Sequence, residues 1–190
     1  MLSGEDIKKA LEAGELSVDP LFEGSVRPAG LRLHLGPELL RPRPGKVVDV
    51  SKGIYPDYDQ FIITEDNPYE LQPGEFLLAA TFEKVTVGAS LGFLIEGRST
   101  LARIGLTIVQ TAMLVYPGHT ARPITLEFAN HGPNPILLYP RMKIARAAIF
   151  ELKSPTLEIY DTTGKYRGQD SVGPPIFKDE IVGLGNNSKK

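Results

Sequence analysis

Short runs in which apolar and polar residues alternate fill most of this 190-residue chain. Leu31 to Leu35 and Ile124 to Phe128 alternate at every position, while Phe76 to Val87 and Met142 to Phe150 are longer apolar and β-branched runs. A period of two predicts half-buried strands, and the prolines and glycines between the runs predict turns. The pattern therefore predicts a mainly antiparallel β-barrel or distorted sandwich.

Helical periodicity is limited to the start of the chain. Ser3 is a candidate N-cap with Asp6 three residues later, and Gly14 can end a helix. We expect a short helix here, and at most one other. Further on, the runs 123–129 and 135–140 flank the turn-forming residues 130–134, which predicts a hairpin.

Composition describes an ordinary globular protein. Hydrophobic residues make up 42%, charged residues 23%, and the formal charge is −2, so no excess positive charge indicates a nucleic-acid partner. No apolar run is long enough to span a membrane, and the first residues do not resemble a signal peptide, so we expect a cytoplasmic protein. Because cysteine is absent, disulfides and thiolate sites are excluded.

Residues 97–106 combine a glycine, two hydroxyls and two guanidinium groups between apolar runs. Arg98 and Arg103 could neutralise oxyanions, and Ser99 and Thr100 are short hydrogen-bond donors. The spacing matches neither a Walker loop nor a dinucleotide fingerprint. The segment is therefore either a solvated hairpin end or an anion site.

Glu127 is the candidate catalytic acid. Alternation places it on the strand face opposite Ile124, Leu126 and Phe128. It is either a solvated carboxylate or, if another chain covers it, an acid whose pKa is raised by burial. The basic and aromatic segment 165–170 is likewise either a surface loop or a lid.

The three histidines, His34, His119 and His131, do not have metal-ligand spacing. The His-x-Glu and Pro-Cys-x-x-Cys elements of zinc deaminases are missing, so we expect no protein metal cage. A hydrolase triad that uses Ser99 is disfavoured, since there is no Gly-x-Ser-x-Gly elbow and no strand-to-helix turn is expected there.

Several motifs follow one another in a characteristic order, and they resemble the dCTP deaminase and dUTPase superfamily, more closely its deaminase branch. The resemblance covers about residues 1–177. The motifs are Met1–Pro20 with its Asp6-Ile7 and Gly14-Glu15-Leu16-Ser17, Leu35-Gly36, Leu71–Phe76, Gly97–Arg103, Thr111-Ala112, Pro117-Gly118, Ile124–Glu127 and Met142–Ile144.

This resemblance implies a distorted jelly-roll β-barrel of the dUTPase-like, or β-clip, type with one or two short helices. It implies a homotrimer with nucleotide sites between subunits and Mg²⁺ bound through the triphosphate. One domain would span 1–177, with a lid at about 161–177 and a flexible tail at 178–190. The implied reaction is hydrolysis of a cyclic amidine C–N bond, which converts dCTP to dUTP and ammonia in pyrimidine deoxynucleotide metabolism.

The resemblance also implies roles for individual residues. Glu127 would be the general acid/base that activates water, Ser99 would position the base or the water, and Arg103 would reach the site from the neighbouring subunit. The backbone at Ala112 would lie near the attacking water. Phosphate and nucleotide contacts would come from Arg98, Ser99, Thr100, Lys165, Tyr166 and Gln169.

The chain departs from the family pattern at four places. The segment Met113–Tyr116 lacks an Asp that contacts the sugar, the turn 118–123 is longer and less glycine-rich than usual, Arg32 replaces an Asp, and Arg146 replaces a Gln. Three functions therefore remain open: a dCTP deaminase, a dUTP diphosphatase that acts alone or after deamination, and a trimeric nucleotide-binding protein without turnover.

Overall fold

The structure, a computed structural model, describes residues 1–178, 180 and 181. Residues 179 and 182–190, which are most of the predicted tail, lie outside the described residues. The elements, in chain order, are α1 Gly4–Glu12, β1 Leu16–Asp19, β2 Val26–Arg27, β3 Gly30–Pro42, β4 Tyr58–Ile62, β5 Tyr69–Leu71, β6 Phe76–Thr81, β7 Lys84–Val87, β8 Leu91–Gly97, α2 Ser99–Ala102, β9 Leu106–Thr107, β10 Leu114–Val115, β11 Thr125–Asn130, β12 Ile136–Leu138, β13 Lys143–Glu151 and α3 Tyr160–Thr163.

A curled antiparallel sheet dominates the molecule. Its strand order is β10-β8-β13-β3-β6-β11-β9, and β2 and β4 also pair with β3. The long strand β3 pairs with β13 through its first half and with β6 and β4 through its second, and the register with β6 shifts between Leu35 and Leu39. At the bend, a Cβ on Gly36 would lie 3.1 Å from the carbonyl oxygens of Ala80 and Thr81, so a close backbone approach requires glycine. The predicted mainly-β fold is confirmed.

Most of the buried apolar side chains form one cluster inside the curled sheet. Alternation in β3 buries Leu31, Leu33 and Leu35 completely, as the sequence predicts. The helix α1 begins with a capping box between Ser3 and Asp6. α2 and α3 are single turns, and no helix among the described residues is long and apolar enough to cross a membrane.

The predicted hairpin at 123–140 is wrong. β11 pairs with β6 and β9, whereas β12 pairs with β5, so the two runs join different sheets. Asn130 explains the divergence, because its side-chain nitrogen donates to the carbonyls of Leu71, at 3.1 Å, and Asn134, at 2.8 Å. These bonds hold the turn 130–134 against β5, and β5 pairs with β12.

A buried histidine–carboxylate hydrogen-bonded pair, His34 and Glu83, lies where the predicted run 76–87 breaks between β6 and β7. The Glu83 carboxylate accepts a hydrogen bond from the backbone N–H of His34, at 3.0 Å, and its other oxygen is 2.5 Å from His34 Nδ1. Glu83 is 0% exposed and His34 6%. The contact connects β3, beside its bend, to the chain reversal after β6.

Candidate active site

An open cleft of about 370 Å³ lies between the end of β8 and the segment that follows β9. The chain leaves β8 at Gly97, makes the single helical turn α2, and reverses at Gly105, whose φ is +85°. A Cβ at Gly105 would lie 2.2 Å from the backbone nitrogen of Gly132, so only glycine fits. The cleft is lined by Ile95, Glu96, Gly97, Arg98, Ser99, Ala102, Leu106, Thr107, Ile108, Val109 and Met113.

Two of the predicted phosphate ligands line this cleft. Arg98 is partly buried, and its Nη1 donates to the carbonyl of Lys143 at 2.6 Å. Ser99 is exposed beside it. Thr100 and Arg103 are exposed on α2 and at its C-cap, outside the cleft lining. The structure thus brings Arg98 and Ser99 together and leaves Thr100 and Arg103 facing outward.

The expectation that Ser99 does not lie at a strand-to-helix turn is wrong, since β8 runs directly into α2. A Ser-His pair is nevertheless not formed among the described residues. His34 pairs with Glu83, His119 Nε2 lies 3.2 Å from the Arg122 carbonyl, and His131 Nε2 lies 3.3 Å from Thr107 Oγ1. Each histidine is therefore engaged away from Ser99.

Glu127 lies on the predicted face of β11. Leu126 and Phe128 are buried in the core, and Glu127 is half-buried on the opposite face, directly across from Leu78 of β6. The side chain of Gln110 connects this strand to the cleft: its Nε2 donates to Thr107 Oγ1 at 3.1 Å and to the backbone carbonyl of Glu127 at 3.4 Å. Because Thr107 lines the cleft, Gln110 ties the backbone of β11 at Glu127 to the cleft wall.

Burial raises the pKa of the Glu127 carboxyl above its ordinary value, and a backbone hydrogen bond from Gln110 partly offsets this rise in pKa. Desolvation penalises the charged form of the acid. A carboxyl whose pKa is moved toward neutrality can both accept and return a proton during a reaction. Burial thus moves the pKa of Glu127 in the direction that favours proton exchange near neutral pH.

The cover over Glu127 comes from the C-terminal segment of the same chain. Gln169 Nε2 donates to Thr125 Oγ1 at 3.1 Å, two residues from Glu127 on the same face. Val172 is buried against Leu78, Leu40 and Ala80. Since Leu78 is the cross-strand partner of Glu127, the segment 169–172 lies over the face that carries the acid.

Lys165 and Tyr166 precede the segment 169–172 in the chain. Lys165 forms an ion pair with Glu180. The backbone N–H of Tyr166 donates to the hydroxyl of Tyr160 at 3.3 Å, and its own hydroxyl accepts from the N–H of Ile176 at 3.2 Å. These contacts fold the C-terminal segment on itself. None of them involves Arg98 or Ser99.

Tyr116, one of the residues that depart from the family pattern, packs against α3, from which the C-terminal segment continues. Its ring stacks on Tyr160, with the two planes 7° apart and the centroids 6.3 Å apart. The carbonyl of Pro117 accepts from the N–H of Tyr160 at 2.8 Å, and Arg122 forms an ion pair with Asp161. The departure from the family pattern at Tyr116 thus has a structural role in docking α3.

Among residues 1–178, 180 and 181, no three His, Asp or Glu side chains converge in a way that could hold a metal ion. Glu96 is the carboxylate that lines the cleft, and its Oε1 accepts from the N–H of Gly97 at 3.1 Å. The donors exposed at the cleft are guanidinium and hydroxyl groups, which suit phosphate oxygens.

A family profile described as dCTP deaminase-like matches residues 1–152. The chain belongs to this dCTP deaminase-like family. It is 35% identical over 182 residues to the dCTP deaminase of Natronomonas pharaonis, with 92% of each chain covered. It is also 35% identical over 179 residues to the "dCTP deaminase, dUMP-forming" of Bifidobacterium animalis subsp. lactis, again with 92% of each covered.

A solved structure shows the same fold. The 2′-deoxycytidine 5′-triphosphate deaminase from Agrobacterium tumefaciens superposes with a TM-score of 0.61 at 16% identity, over 86% of this chain and 53% of that one. The assignment to the dCTP deaminase and dUTPase superfamily, made from the motifs, is confirmed.

Three residues near the candidate site were not singled out from the sequence. Gln110 and Thr107 connect the cleft to β11, and Val172 covers the partner strand of Glu127. A polar Gln and Thr just after a strand are too common to single out. The isolated Val172 in a polar C-terminal stretch is the one signal that could have indicated a docked segment.

The raised pKa of Glu127 predicts a pH-dependent effect on stability. Between about pH 4.5 and the higher folded pKa, the folded protein binds a proton that the unfolded chain does not, so stability falls as pH rises through this range. Glu127→Gln removes the charge, and we expect it to raise Tm at pH 8, with the gain vanishing toward pH 4. Thermal melts across this range check this expectation; a pH-independent change in Tm would contradict it.

Proposed function

We propose that this protein is a dCTP deaminase that releases ammonia and forms dUTP, with Glu127 as the general acid/base. The observation that carries the proposal is the environment of Glu127. Its side chain is half-buried, burial raises the pKa of its carboxyl, and the segment 169–172 lies over its face of the sheet. Its backbone carbonyl is joined through Gln110 to Thr107, which lines the cleft together with Arg98. Membership of the dCTP deaminase-like family supports the choice of substrate.

In this mechanism the Glu127 carboxylate takes a proton from water as the water oxygen attacks C4 of the cytosine ring. One proton of the water goes to the ring nitrogen next to C4 and the other to the departing amino group, both by way of Glu127. The C4–N bond then breaks, so that dCTP and water become dUTP and ammonia. Ser99 and the backbone at Ala112 would position the base and the water.

The phosphates would be held by Arg98, Ser99 and Thr100, and Lys165, Tyr166 and Gln169 would belong to the segment that covers the nucleotide. Mg²⁺ would enter with the triphosphate and neutralise part of its charge. The mixed guanidinium and hydroxyl donors at the cleft support this arrangement, since they bind phosphate oxygens. As an enzyme of nucleotide metabolism, the protein would act in the cytoplasm.

We also propose a homotrimer with sites between subunits. Arg103 and Thr100 are exposed and do not line the cleft of their own chain, which supports a role for them at a site shared with a neighbouring copy. Large apolar side chains flank the same region and are exposed; an interface would bury them. They are Ile104, Met113, Leu114 and Tyr116.

A second candidate is deamination followed by diphosphate hydrolysis, which yields dUMP. The observation in its favour is that relatives of similar identity carry the name "dCTP deaminase, dUMP-forming". Tyr116, at the place of the Asp of the family pattern, weighs against hydrolysis of the triphosphate. In the third candidate function, nucleotide binding without turnover, Arg98 and Ser99 would still bind phosphate, but Glu127 would take part in no reaction.

Separate incubations with dCTP and with dUTP, each with Mg²⁺, distinguish the three when nucleotides are resolved by ion exchange and ammonia is assayed. We expect dUTP and ammonia from dCTP and no change in dUTP. Formation of dUMP and pyrophosphate would establish the second candidate. Calorimetric binding of dCTP without any product, by a protein that is folded, would establish the third and overturn the deaminase proposal.

A further inference from the structure

The hydrogen-bonded ladder between β9 and β11 stops short of Glu127. β9 ends at Thr107, which lies opposite Ala129. Just before β11, the carbonyl of Ile124 accepts a backbone hydrogen bond from β6 at 2.9 Å. Alternate residues of a strand turn their backbone groups to opposite edges, so the carbonyl of Glu127 faces the β9 side, past the end of that ladder. A carbonyl in this position needs a donor from outside the strands.

The side chain of Gln110 supplies this donor. Its Nε2 donates to the Glu127 carbonyl at 3.4 Å and to Thr107 Oγ1 at 3.1 Å, so both hydrogens of the amide group are used. Thr107 Oγ1 donates in turn to the carbonyl of Ala129 at 3.4 Å. Side chains thus continue the bonding between β9 and β11 up to the residue that carries the acid.

The main chain of Gln110 reaches the other end of the same residue. Burial raises the pKa of the Glu127 carboxyl, and a hydrogen bond from the backbone of Gln110 to this carboxyl acts against the rise. The remaining contribution to the pKa comes from the backbone of Glu127 itself. Gln110 therefore contacts Glu127 both at its carbonyl and at its carboxyl.

The other groups packed on this face of β11 carry no charge. They come from β6, from β11 itself and from the covering segment, and they are Leu78, Thr125, Gln169 and Val172. The charged residue of that segment, Asp170, lines a separate hollow together with Lys84. A neutral substitution at Gln110 therefore changes the contacts of Glu127 without changing the charge around it.

We propose that Gln110 is a positioning residue of the site and holds the carboxylate of Glu127 and the backbone of Ala112 in one fixed geometry. The inference rests on the proposed deaminase function and deepens it. Ala112 follows Gln110 by two residues, so the segment that would hold the attacking water and the strand that carries the acid are joined at one side chain. A misplacement of about 1 Å between reacting groups can cost about a hundredfold in rate, so this connection matters for turnover.

Gln110→Met tests this assignment, because methionine has a similar length and no charge but cannot donate a hydrogen bond. Steady-state kinetics with dCTP, repeated across the pH range, give kcat and KM. We expect kcat to fall by about tenfold to a hundredfold. KM should change by less than about threefold, because the phosphate contacts at Arg98 remain. The acidic limb of the kcat profile should move to higher pH, since Glu127 loses a bond that lowers its pKa and must be ionised to take a proton from water.

Gln72→Met is the matched control. Gln72 is also exposed, and its Nε2 also makes two bonds, at 2.9 Å to Glu70 Oε1 and at 3.3 Å to the Glu70 carbonyl. This variant should keep the wild-type kcat, KM and pH profile. Because both glutamines are exposed, each variant should keep a Tm within about 3 °C of the wild type.

Three results would overturn the positioning role of Gln110. The first is a loss of kcat below about threefold in Gln110→Met, and the second is a loss that falls on KM while the acidic limb stays in place. The third is a larger fall in Tm with wild-type kcat for the protein that remains folded, which would reduce Gln110 to a structural contact.

The pKa of Glu127 separates this proposal from the deaminase proposal, because it is measured without substrate. Carbon NMR of labelled glutamate carboxyls follows the titration, and the spectrum of Glu127→Gln assigns the signal. We expect a higher pKa in Gln110→Met than in the wild type. That result in a protein that converts no dCTP would uphold the hold of Gln110 on Glu127 and reject the deaminase. Equal ammonia release by both proteins, with an unchanged pKa, would uphold the deaminase and reject the role of Gln110.

Discussion

Glu127→Gln is expected to slow the release of ammonia from dCTP by about a hundredfold to ten-thousandfold, the usual contribution of a positioned acid/base. The amide has nearly the same shape as the carboxylate but cannot accept a proton from water. The loss should therefore fall on kcat, while KM changes little, since contacts to the ground-state substrate remain. Steady-state kinetics with dCTP, with ammonia as the readout, measures both quantities.

Two controls make this result specific. Glu12→Gln, at the exposed end of α1, carries the same chemical change far from the cleft and should leave kcat and KM as in the wild type. A raised Tm of Glu127→Gln at pH 8 would show that the loss of turnover does not come from unfolding. Retention of a third or more of wild-type kcat would exclude Glu127 as the acid/base.

Glu83→Ala is expected to lower the free energy of unfolding by about 2–6 kcal/mol, because two buried hydrogen-bonding groups of His34 lose their acceptor at about 1–3 kcal/mol each. The substitution leaves the His34 ring and the His34 backbone N–H without their acceptors in the core, and it leaves a cavity at the turn between β6 and β7. Urea unfolding at one fixed protein concentration measures the change.

Glu12→Ala serves as the surface control and should change the unfolding free energy by no more than about 0.5 kcal/mol. The double variant His34→Leu/Glu83→Leu replaces both partners by apolar groups, and we expect it to recover part of the loss, because neither a donor nor a charge is then stranded. A Glu83→Ala protein as stable as the Glu12→Ala control would show that the pair contributes nothing to the fold.

Local patterns in the sequence predicted the elements that depend on local physics. The capping box at Ser3 fixes the start of α1, and strict alternation from Leu31 to Leu35 fixes which side chains of β3 enter the core. The same alternation placed Glu127 on the face opposite Leu126. These features need no knowledge of distant parts of the chain, so one sequence is sufficient to find them.

Pairing between distant strands was not predictable in this way. The run 135–140 follows β11 closely in sequence, which suggested a hairpin, yet β12 pairs with β5 some sixty residues earlier. Alternation indicates that a run is a strand but not which strand it joins. The decisive contact is the Asn130 side chain, whose bond to the Leu71 carbonyl spans 59 residues.

The residues of the candidate site fall into the same two groups: those that local sequence indicates and those placed by long-range contacts. Arg98, Ser99 and Glu127 could be chosen from the sequence because their residue types suit the chemistry and their motifs resemble a family. The packing of Val172 against Leu78, the cross-strand partner of Glu127, and the bond from Gln110 to the Glu127 backbone carbonyl depend on long-range contacts. From the sequence, Glu127 could be either a solvated carboxylate or an acid covered by another chain; in the structure, segment 169–172 of the same chain lies over this face.

Arg32 and Arg146 illustrate a third case. The sequence marked both as unusual, but each looked like an independent change. The β3–β13 register makes them direct neighbours, and burial together with the positive charges of both lowers the pKa of the Arg98 guanidinium at the cleft.

The most direct test of the central claim is mass spectrometry of the nucleotide products after dCTP reacts in water labelled with heavy oxygen. We predict that the uracil ring carries one heavy oxygen, at C4, and that its phosphates carry none, because Glu127 directs water only to the ring. Label in the phosphates of a dUMP product would reveal a second hydrolysis. Recovery of unlabelled dCTP as the only nucleotide, from a folded protein that binds it, would contradict the account.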